Sequence, residues 1–257
     1  MLDDYKALVE ARNAYAYAPF CLRRADSGAR VDAVLWGIPV VISGPEPADA
    51  PRFEHFSSAA LDRYHGQLLH SDHDSDVLLG VASVTFWGFA QGRGGRFTTA
   101  RALARAKHIA GLGKRSADDG AVIVEAVRSI AVDLAQARRA DAIARAMRLK
   151  HHGLAFASKL LAFIAPATEC VYDEVISLRL KASTDQRLIA LHVPTVGQHR
   201  MTEKAQAYVG WAELCSSTAQ GLDAAGRPWT DWNGEQQAWR AVDVERAFFG
   251  LGRPSAD

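Results

Sequence analysis

Lys159 and Asp173 are the two side chains whose types and spacing could carry out covalent chemistry. They stand fourteen residues apart, on either side of a turn at Pro166. A neutral lysine amine is a nucleophile that forms Schiff bases, and a carboxylate beside it can stabilise positive charge that develops at the attacked carbon. A lysine must lose its proton before it attacks, and burial favours the neutral amine. Phe156 and Phe163, on the same stretch, are apolar neighbours that would supply this burial.

Two predicted helices position this pair. Gly153 precedes a helix predicted for residues 154–164, in which Leu154, Ala157, Leu160, Leu161 and Ile164 form one buried stripe, with Lys159 beside it. Asp173 stands before a helix predicted for residues 174–181, where a carboxylate can accept backbone N–H groups. On spacing alone, two simpler interpretations stay open. The lysine could reach solvent with its charged end, and the aspartate could only cap its helix.

The rest of the sequence predicts an almost entirely helical architecture. The only clear β-branched run is Ile38 to Ser43, and a Pro-rich loop follows it from Gly44 to Pro51. A glycine-rich turn is predicted at residues 92–95. Helices are further predicted over residues 4–17, from Ser57 or Ser58 to about His70, from Asp74 or Ser75 to the Gly92 turn, from Thr98 toward Gly111, around Ile123 to Leu134, along the following Ala/Arg-rich stretch, and over residues 202–222 and 242–251. We therefore predict a mostly α fold with a small β element near residue 40.

The composition is that of a globular protein, with 49% hydrophobic and 23% charged residues among 257. No run of about 18 apolar residues and no basic-then-apolar start is present, so we expect an intracellular protein without membrane association. The three cysteines form no Cys-x-x-Cys pair, which favours reduced thiols over a disulfide or a thiolate zinc site. The His and Asp residues at 70–74 are more typical of helix capping than of metal binding, and neither a metal nor another cofactor is expected.

Positive charge is concentrated in two stretches, although the formal net charge is only +1. Residues 92–117 contain seven Lys and Arg residues and no acidic residue, and residues 138–159 contain six against a single Asp. The first ninety residues are acidic by contrast. This asymmetry is typical of a protein with one phosphate-facing surface, whereas arginines on surface helices also serve solubility alone.

The segment from Gly153 to Leu180, GLAFASKLLAFIAPATECVYDEVISLRL, resembles the helix-hairpin-helix DNA glycosylase superfamily, in particular the bacterial group with the 8-oxoguanine DNA glycosylase fold. In that superfamily a glycine-rich hairpin precedes the helix that bears the catalytic lysine, and an aspartate opens the next helix after a turn. Gly153, Lys159 and Asp173 match these positions. The segments Phe86 to Phe89 and Trp239 to Phe249 resemble further stretches of the bacterial group, so the resemblance covers roughly residues 77–252.

The chain departs from the superfamily pattern in two places. The hairpin His151-His152-Gly153-Leu154 has one glycine where the superfamily has Leu-Pro-Gly-Val-Gly or similar, and the separation of Lys159 and Asp173 is shorter than in the best known members. The N-terminal seventy or so residues match no family that we recognise. We therefore divide the chain into an N-terminal extension packed on the helical body, residues 1–56, and a two-lobed helix-hairpin-helix glycosylase-like domain, residues 57–257.

The resemblance implies a monomeric, nucleoid-associated enzyme that everts and excises a modified base from double-stranded DNA. Lys159 would attack the sugar C1′, Asp173 would assist it, and the Schiff base would permit a lyase step at the abasic site. The aromatic residues that could stack on the base, most of which should lie in the core, are Trp87, Phe89, Phe156, Phe163, Tyr172 and Trp211. The residues selected for DNA contact are His152, Gly153, Ser158, Arg93 and Arg96, and those selected for the base pocket are Trp87, Tyr172 and Trp211.

The identity of the base and the class of function keep alternatives open. An oxidised purine is the base that the family implies, whereas a hypermodified base of invading DNA would indicate antiviral defence in place of DNA repair. If the chain is a non-catalytic DNA-binding protein that retains the fold, Lys159→Ala should leave its function unchanged. If it is an enzyme, Lys159→Ala should abolish turnover and keep the affinity for DNA. A helical scaffold for protein partners would show no salt-dependent binding of DNA.

Overall fold

The computed structural model describes residues 2, 4–15, 20–44, 58–90, 98–197, 200–231 and 233–251. The described chain is mostly helical, with short antiparallel strands, which confirms the predicted fold class. The helices are Tyr5–Asn13 (α1), Ser58–Leu69 (α2), Asp74–Ala90 (α3), Thr99–Ile109 (α4), Gly120–Ala135 (α5), Arg139–Arg148 (α6), Leu154–Ile164 (α7), Glu174–Ala182 (α8), Gln186–Ile189 (α9), Met201–Ala224 (α10) and Ala241–Gly250 (α11). The strands are Cys21–Arg24 (β1), Ala33–Leu35 (β2), Ile38–Ser43 (β3), Trp229–Thr230 (β4) and Gln236–Gln237 (β5).

The β element near residue 40 is larger than the sequence predicted. β3 occupies the predicted run, and β1 and β2 pair with it on either side in antiparallel order. The hairpin between β2 and β3 turns at Trp36 and Gly37, whose φ angles are 47° and 79°. Two consecutive positive φ values are typical of the tight turns that match strand twist. β1 and β2 have four and three residues, too few to give a clear alternating pattern.

α3 lies at the centre of the helical body. It packs against α2, α4, α5, α7 and strand β1. Its residues from Leu79 to Trp87 are almost all buried, as expected for a helix that is apolar on every side. A single apolar cluster continues from Leu8 of α1 through β1 and α3 to Phe248 of α11. The N-terminal region therefore packs on the helical body, and the predicted boundary at residue 56 lies outside the described residues.

A buried group of ion pairs, which we call the α11 ion network, fixes α11 against α1 and α2. The Arg246 guanidinium binds Asp62 of α2 through two contacts of 2.8 and 2.6 Å, and Arg240 binds the same carboxylate at 2.7 Å. Arg12 of α1 donates to Asp243 at 3.0 and 2.7 Å. Burial alone would raise the pKa of Asp243, but the charges of Arg12 and Arg240 lower it to about 2. Paired in this way, the charges can stay inside the protein.

Membrane crossing needs about 20 consecutive apolar residues in a helix. None of the helices in the described part of the chain combines that length with sufficient hydrophobicity.

Candidate active site

The hairpin between α6 and α7 is held by its own backbone and by residues 116–118. His151 has a φ of 67°, so a histidine adopts the left-handed conformation that glycine usually supplies. Its ring lies 3.1 Å from the Ser116 carbonyl, and the Lys150 backbone N–H donates to Asp118 at 2.6 Å. Gly153 has an ordinary φ of −74° and is exposed, with no atom closer than 4.0 Å to the position of a Cβ. The left-handed turn of this hairpin therefore lies at His151 and not at Gly153.

Lys159 is buried where α7 passes α3. Only 4% of the residue is exposed. Its methylene chain lies against Gly88 of α3, where a Cβ would come within 2.9 Å of the lysine Cδ and of the Phe156 ring. Its Nζ lies 3.4 Å from Oδ2 of Asp173. The absence of a side chain at Gly88 thus gives the lysine its path to Asp173.

Asp173 is the N-cap of α8, and its two carboxylate oxygens have different partners. Oδ1 accepts the backbone N–H groups of Val175 and Ile176 at 3.0 and 3.1 Å. Oδ2 faces Nζ of Lys159, and 22% of the Asp173 side chain is exposed. Because these two N–H groups fix Oδ1, the carboxylate holds its other oxygen toward the amine. The structure brings together the two residues that the sequence selected for chemistry.

Ser158 connects the two halves of this site. Its Oγ accepts the Tyr172 backbone N–H at 2.9 Å and lies 3.3 Å from the Tyr172 carbonyl. These bonds join the residue before Lys159 to the residue before Asp173. The serine was predicted to contact DNA, but its side chain is fully buried, so it stabilises the loop between α7 and α8 and does not face the surface.

Glu245 of α11 is a site residue that the sequence analysis did not select. It is 4% exposed, and its carboxyl group interacts electrostatically with Asp173, Arg246 and Lys159 and with the backbone N–H of Val171. Burial, supported by the negative charge of Asp173, raises the pKa of Glu245 to about 8 against the opposing effect of the two cations. A signal was present in the sequence, since residues 243, 245 and 246 are ionisable within an otherwise apolar helix.

The three rings predicted to line a base pocket lie in the interior. Trp87 meets Phe163 edge to face at 5.0 Å, and Trp211 donates its ring N–H to the Val171 carbonyl at 3.0 Å. The Tyr172 hydroxyl donates to the Leu191 carbonyl at 2.7 Å and accepts from a backbone N–H. All three are buried, so none presents an open face on which a base could stack.

The predicted phosphate contacts have different positions. His152 is buried and its Nδ1 lies 3.0 Å from the Lys150 carbonyl, so its ring is not at the surface. Burial lowers the pKa of His152, which favours the neutral ring. Arg93 and Arg96 lie outside the described residues, as does the predicted turn at residues 92–95.

A basic surface extends from α4 into the loop before α5. The chain has no acidic residue between positions 92 and 117. Burial and the neighbouring charges of Arg115 and Arg101 lower the pKa of Arg105. Among the described residues, no ion pair neutralises any member of this surface, which consists of Arg101, Arg105, Lys107, Lys114 and Arg115. Unneutralised cations of this kind are suited to binding phosphate.

No group of three His, Cys, Asp or Glu side chains in the described ranges converges in a way that could hold a metal ion. The residues near the site instead offer a buried amine, an adjacent carboxylate and a second carboxyl group.

Comparison with models of known families, with curated proteins and with solved structures gave no match to this chain.

Proposed function

We propose that this protein is a DNA glycosylase that excises a modified base through an amine nucleophile. The observation that carries the proposal is the contact between Lys159 and Asp173, with Nζ and Oδ2 3.4 Å apart in a largely buried setting. A surface lysine and a helix cap would not need to meet in this way. The resemblance of Gly153, Lys159 and Asp173 to the superfamily pattern agrees with this geometry.

The proposed reaction uses the pair as nucleophile and stabiliser. After it has lost a proton, the Lys159 amine forms a bond to C1′ of the sugar while the bond from C1′ to the base breaks, and the base leaves with the bonding electrons and takes up a proton. The Asp173 carboxylate stabilises the positive charge that develops on the sugar. Loss of a proton and opening of the sugar ring then give a Schiff base, from which the strand can be cleaved.

The basic surface supports double-stranded DNA as the partner. Arg101 and Arg115 are exposed, and α4, which carries Arg105, packs directly against α3, the helix that contacts Lys159. Phosphates would therefore be held beside the proposed nucleophile. An oxidised purine is the first base to test, and a hypermodified base of foreign DNA is the alternative that would indicate defence.

Borohydride trapping tests this proposal. Duplexes that carry 8-oxoguanine, other modified bases or an abasic site are incubated with the wild type, Lys159→Ala and Asp173→Asn. The wild type should give a covalent adduct, Lys159→Ala none, and Asp173→Asn a slowed reaction, because asparagine still caps α8 but lacks the charge. Lys181→Ala, an exposed lysine of α8, is the matched control and should react as the wild type does.

The outcomes separate the classes of function. Salt-dependent DNA binding without adduct or base release on any duplex would overturn the enzyme and indicate a DNA-binding protein. An adduct that persists in Lys159→Ala would overturn this residue as the nucleophile. Failure to bind DNA at any salt concentration would overturn both the glycosylase and the non-catalytic DNA-binding protein.

A further inference from the structure

The start of α11 packs against the end of α7. Val242 forms a small buried apolar cluster with Ala162 of α7 and Val171 of the loop that follows. The Val242 backbone N–H donates to the Pro166 carbonyl at 3.3 Å, so the first turn of α11 is also fixed to the turn after α7. These contacts define which sides of the two helices face each other.

Helical spacing places Glu245 and Lys159 on these facing sides. Residues three or four apart lie on the same side of a helix. Glu245 comes three residues after Val242, and Lys159 comes three residues before Ala162. Both residues are only 4% exposed, and their side chains interact electrostatically. The packing of α11 on α7 therefore brings a buried carboxyl group to the Lys159–Asp173 pair.

Glu245 forms no ion pair among the residues that the structure describes. The neighbouring Arg246 guanidinium is bound to Asp62 by two contacts of 2.8 and 2.6 Å. The Val171 backbone N–H donates to the Glu245 carboxyl group, and a neutral carboxyl oxygen can accept this bond. A buried carboxyl group in such surroundings favours its neutral form, and the pKa of Glu245 is raised to about 8, chiefly by burial.

The other ionisable groups around Glu245 come from several elements. Those that interact with it electrostatically are Lys159 of α7, Asp173 before α8, Arg246 of α11, Tyr15 after α1, Cys170 of the loop before α8, and Cys215 of α10. Burial raises the pKa values of Tyr15, Cys170 and Cys215, which favours their neutral forms up to about pH 9. The ionisation of Glu245 itself, with a pKa of about 8, falls below that limit.

The charge of Glu245 bears on the nucleophile. A negative charge favours the protonated form of a nearby amine, and a protonated amine cannot attack carbon. Asp173 already faces the Lys159 Nζ at 3.4 Å, so an ionised Glu245 would be a second carboxylate beside the same amine. A neutral Glu245 adds no such charge. The two forms of Glu245 therefore differ in how readily Lys159 can react.

We propose that Glu245 is a positioning residue that acts through Lys159, permitting nucleophilic attack while its carboxyl group is neutral and suppressing attack once that group ionises. The inference rests on the proposed function for the identity of the reaction. It also predicts how the Lys159 amine reacts in the free protein, where no DNA is needed. The upper pH limit of the reaction is then set from α11.

Trace labelling with acetic anhydride tests the inference without DNA. Only an unprotonated amine is acetylated, and mass spectrometry of the digested protein gives the labelling rate of each lysine. The Lys159 rate in Glu245→Gln, divided by that in the wild type, should rise between pH 6.5 and pH 9, because glutamine stays neutral. A nearby charge shifts a pKa by about one unit or more, so the expected rise is about 10-fold.

Controls separate this effect from a structural one. A purely structural effect of Glu245→Gln would change the Lys159 rate equally at every pH. Lys181, an exposed lysine labelled in the same samples, should give a ratio that does not change with pH. Glu125→Gln makes the same substitution at an exposed position of α5, and its Lys159 ratio should not change with pH either.

The wild type alone gives a second readout, which does not depend on the folding of any variant. The logarithm of the labelling rate should rise with pH for both lysines. Above about pH 8, where Glu245 ionises, the curve for Lys159 should become flatter than that for Lys181. Borohydride trapping on an abasic duplex should show the same rise in the ratio of Glu245→Gln to wild type as the labelling does.

The outcomes distinguish this inference from the proposed function. A Lys159 labelling ratio that does not change with pH, or parallel wild-type curves for Lys159 and Lys181, would overturn the role of Glu245 even if trapping succeeds. A rising ratio and a flattened curve support this role even if no adduct forms on any duplex. In that case the glycosylase proposal alone would fail.

Discussion

Two carboxyl groups, those of Asp173 and Glu245, lie near Lys159. Asp173 is fixed by two backbone N–H groups and faces the amine at 3.4 Å. Burial and the charge of Asp173 raise the pKa of Glu245 to about 8, so this acid keeps its proton. A protonated Glu245 adds no second buried negative charge beside Asp173, and Asp173 keeps its contact with the lysine.

Replacing Glu245 with Gln should change how stability depends on pH. Between its ordinary pKa of 4.5 and about 8, the unfolded chain loses the Glu245 proton while the folded chain keeps it. The folded state binds more protons in this window, so this residue makes the protein less stable as pH rises, by up to about 1.4 kcal/mol per pH unit. Glu245→Gln removes this effect, and the stability of the variant relative to wild type should increase from about pH 5 to about pH 8.

Urea unfolding of both proteins at several pH values measures this difference. Glu125→Gln, at an exposed position of α5, should follow the wild-type curve at every pH. Parallel curves for Glu245→Gln and wild type would show that Glu245 is already ionised in the folded protein.

At the scale of elements, the site depends on how closely α7 approaches α3. Gly88 lies at the crossing, and a Cβ at this position would be 2.9 Å from the Lys159 Cδ and from the Phe156 ring. Ser158 then fixes α7 to the loop that ends at Asp173. Three residues that take no part in the chemistry, Gly88, Ser158 and Tyr172, thus set the position of the amine.

Gly88→Ala should separate folding from activity. Alanine favours the helix by up to about 1 kcal/mol, which offsets the cost of local crowding, so the protein should stay folded. The lysine chain must move, and because small displacements of reacting groups are costly, the rate of borohydride trapping should fall by about 10- to 100-fold.

Gly221→Ala provides the comparison for this variant. It makes the same change in α10, where the nearest atom is the Tyr5 hydroxyl at 2.9 Å. This variant should keep the wild-type trapping rate. Equal rates for Gly88→Ala and wild type would contradict a positioning role for the α3 and α7 crossing.

The sequence predicted these elements unequally well. α7 occupies the predicted range Leu154–Ile164, because its apolar stripe and the turn after it are local signals. β1 was not predicted, since four residues with two exposed arginines form a strand only through pairing with β3. The pairing of Lys159 with Asp173 was inferred from spacing and resemblance, whereas the place of Glu245 beside them depends on contacts between helices distant in the sequence.

At the scale of the molecule, the α11 ion network joins the N-terminal region to the element that carries Glu245. Asp62 is the carboxylate shared by Arg240 and Arg246, and all three groups are mostly buried. Asp62→Asn would leave two arginines with one fewer counter-charge. Removal of one partner from a buried pair costs about 3–5 kcal/mol, and we expect a loss of this size in denaturant unfolding.

Asp74→Asn is the control for the network. This aspartate pairs with Arg128 at the surface, where 66% of its side chain is exposed. A surface pair contributes less than about 1 kcal/mol, so its loss should hardly move the unfolding midpoint. Similar midpoints for the two variants would show that the buried network contributes little to holding α11 in place.

The uneven distribution of charge should govern how DNA binding responds to salt. A protein that neutralises phosphates releases counterions, and the logarithm of its affinity falls linearly with the logarithm of the salt concentration, with a slope of about −0.9 for each phosphate contact. Arg101 and Arg115 are exposed members of the basic surface. Arg101→Gln and Arg115→Gln should therefore each reduce the magnitude of the slope by about 0.9 for duplex DNA of any sequence.

Fluorescence anisotropy titrations of one labelled duplex at several salt concentrations measure these slopes. Lys6→Gln removes an exposed cation from α1, a helix that packs against α11 and β4, and it should leave the slope unchanged. Because the formal net charge of +1 changes equally in all three variants, a difference between them depends on position alone. Identical slopes for the arginine variants and Lys6→Gln would mean that DNA binds elsewhere. They would contradict the proposal that the basic surface binds phosphates beside Lys159.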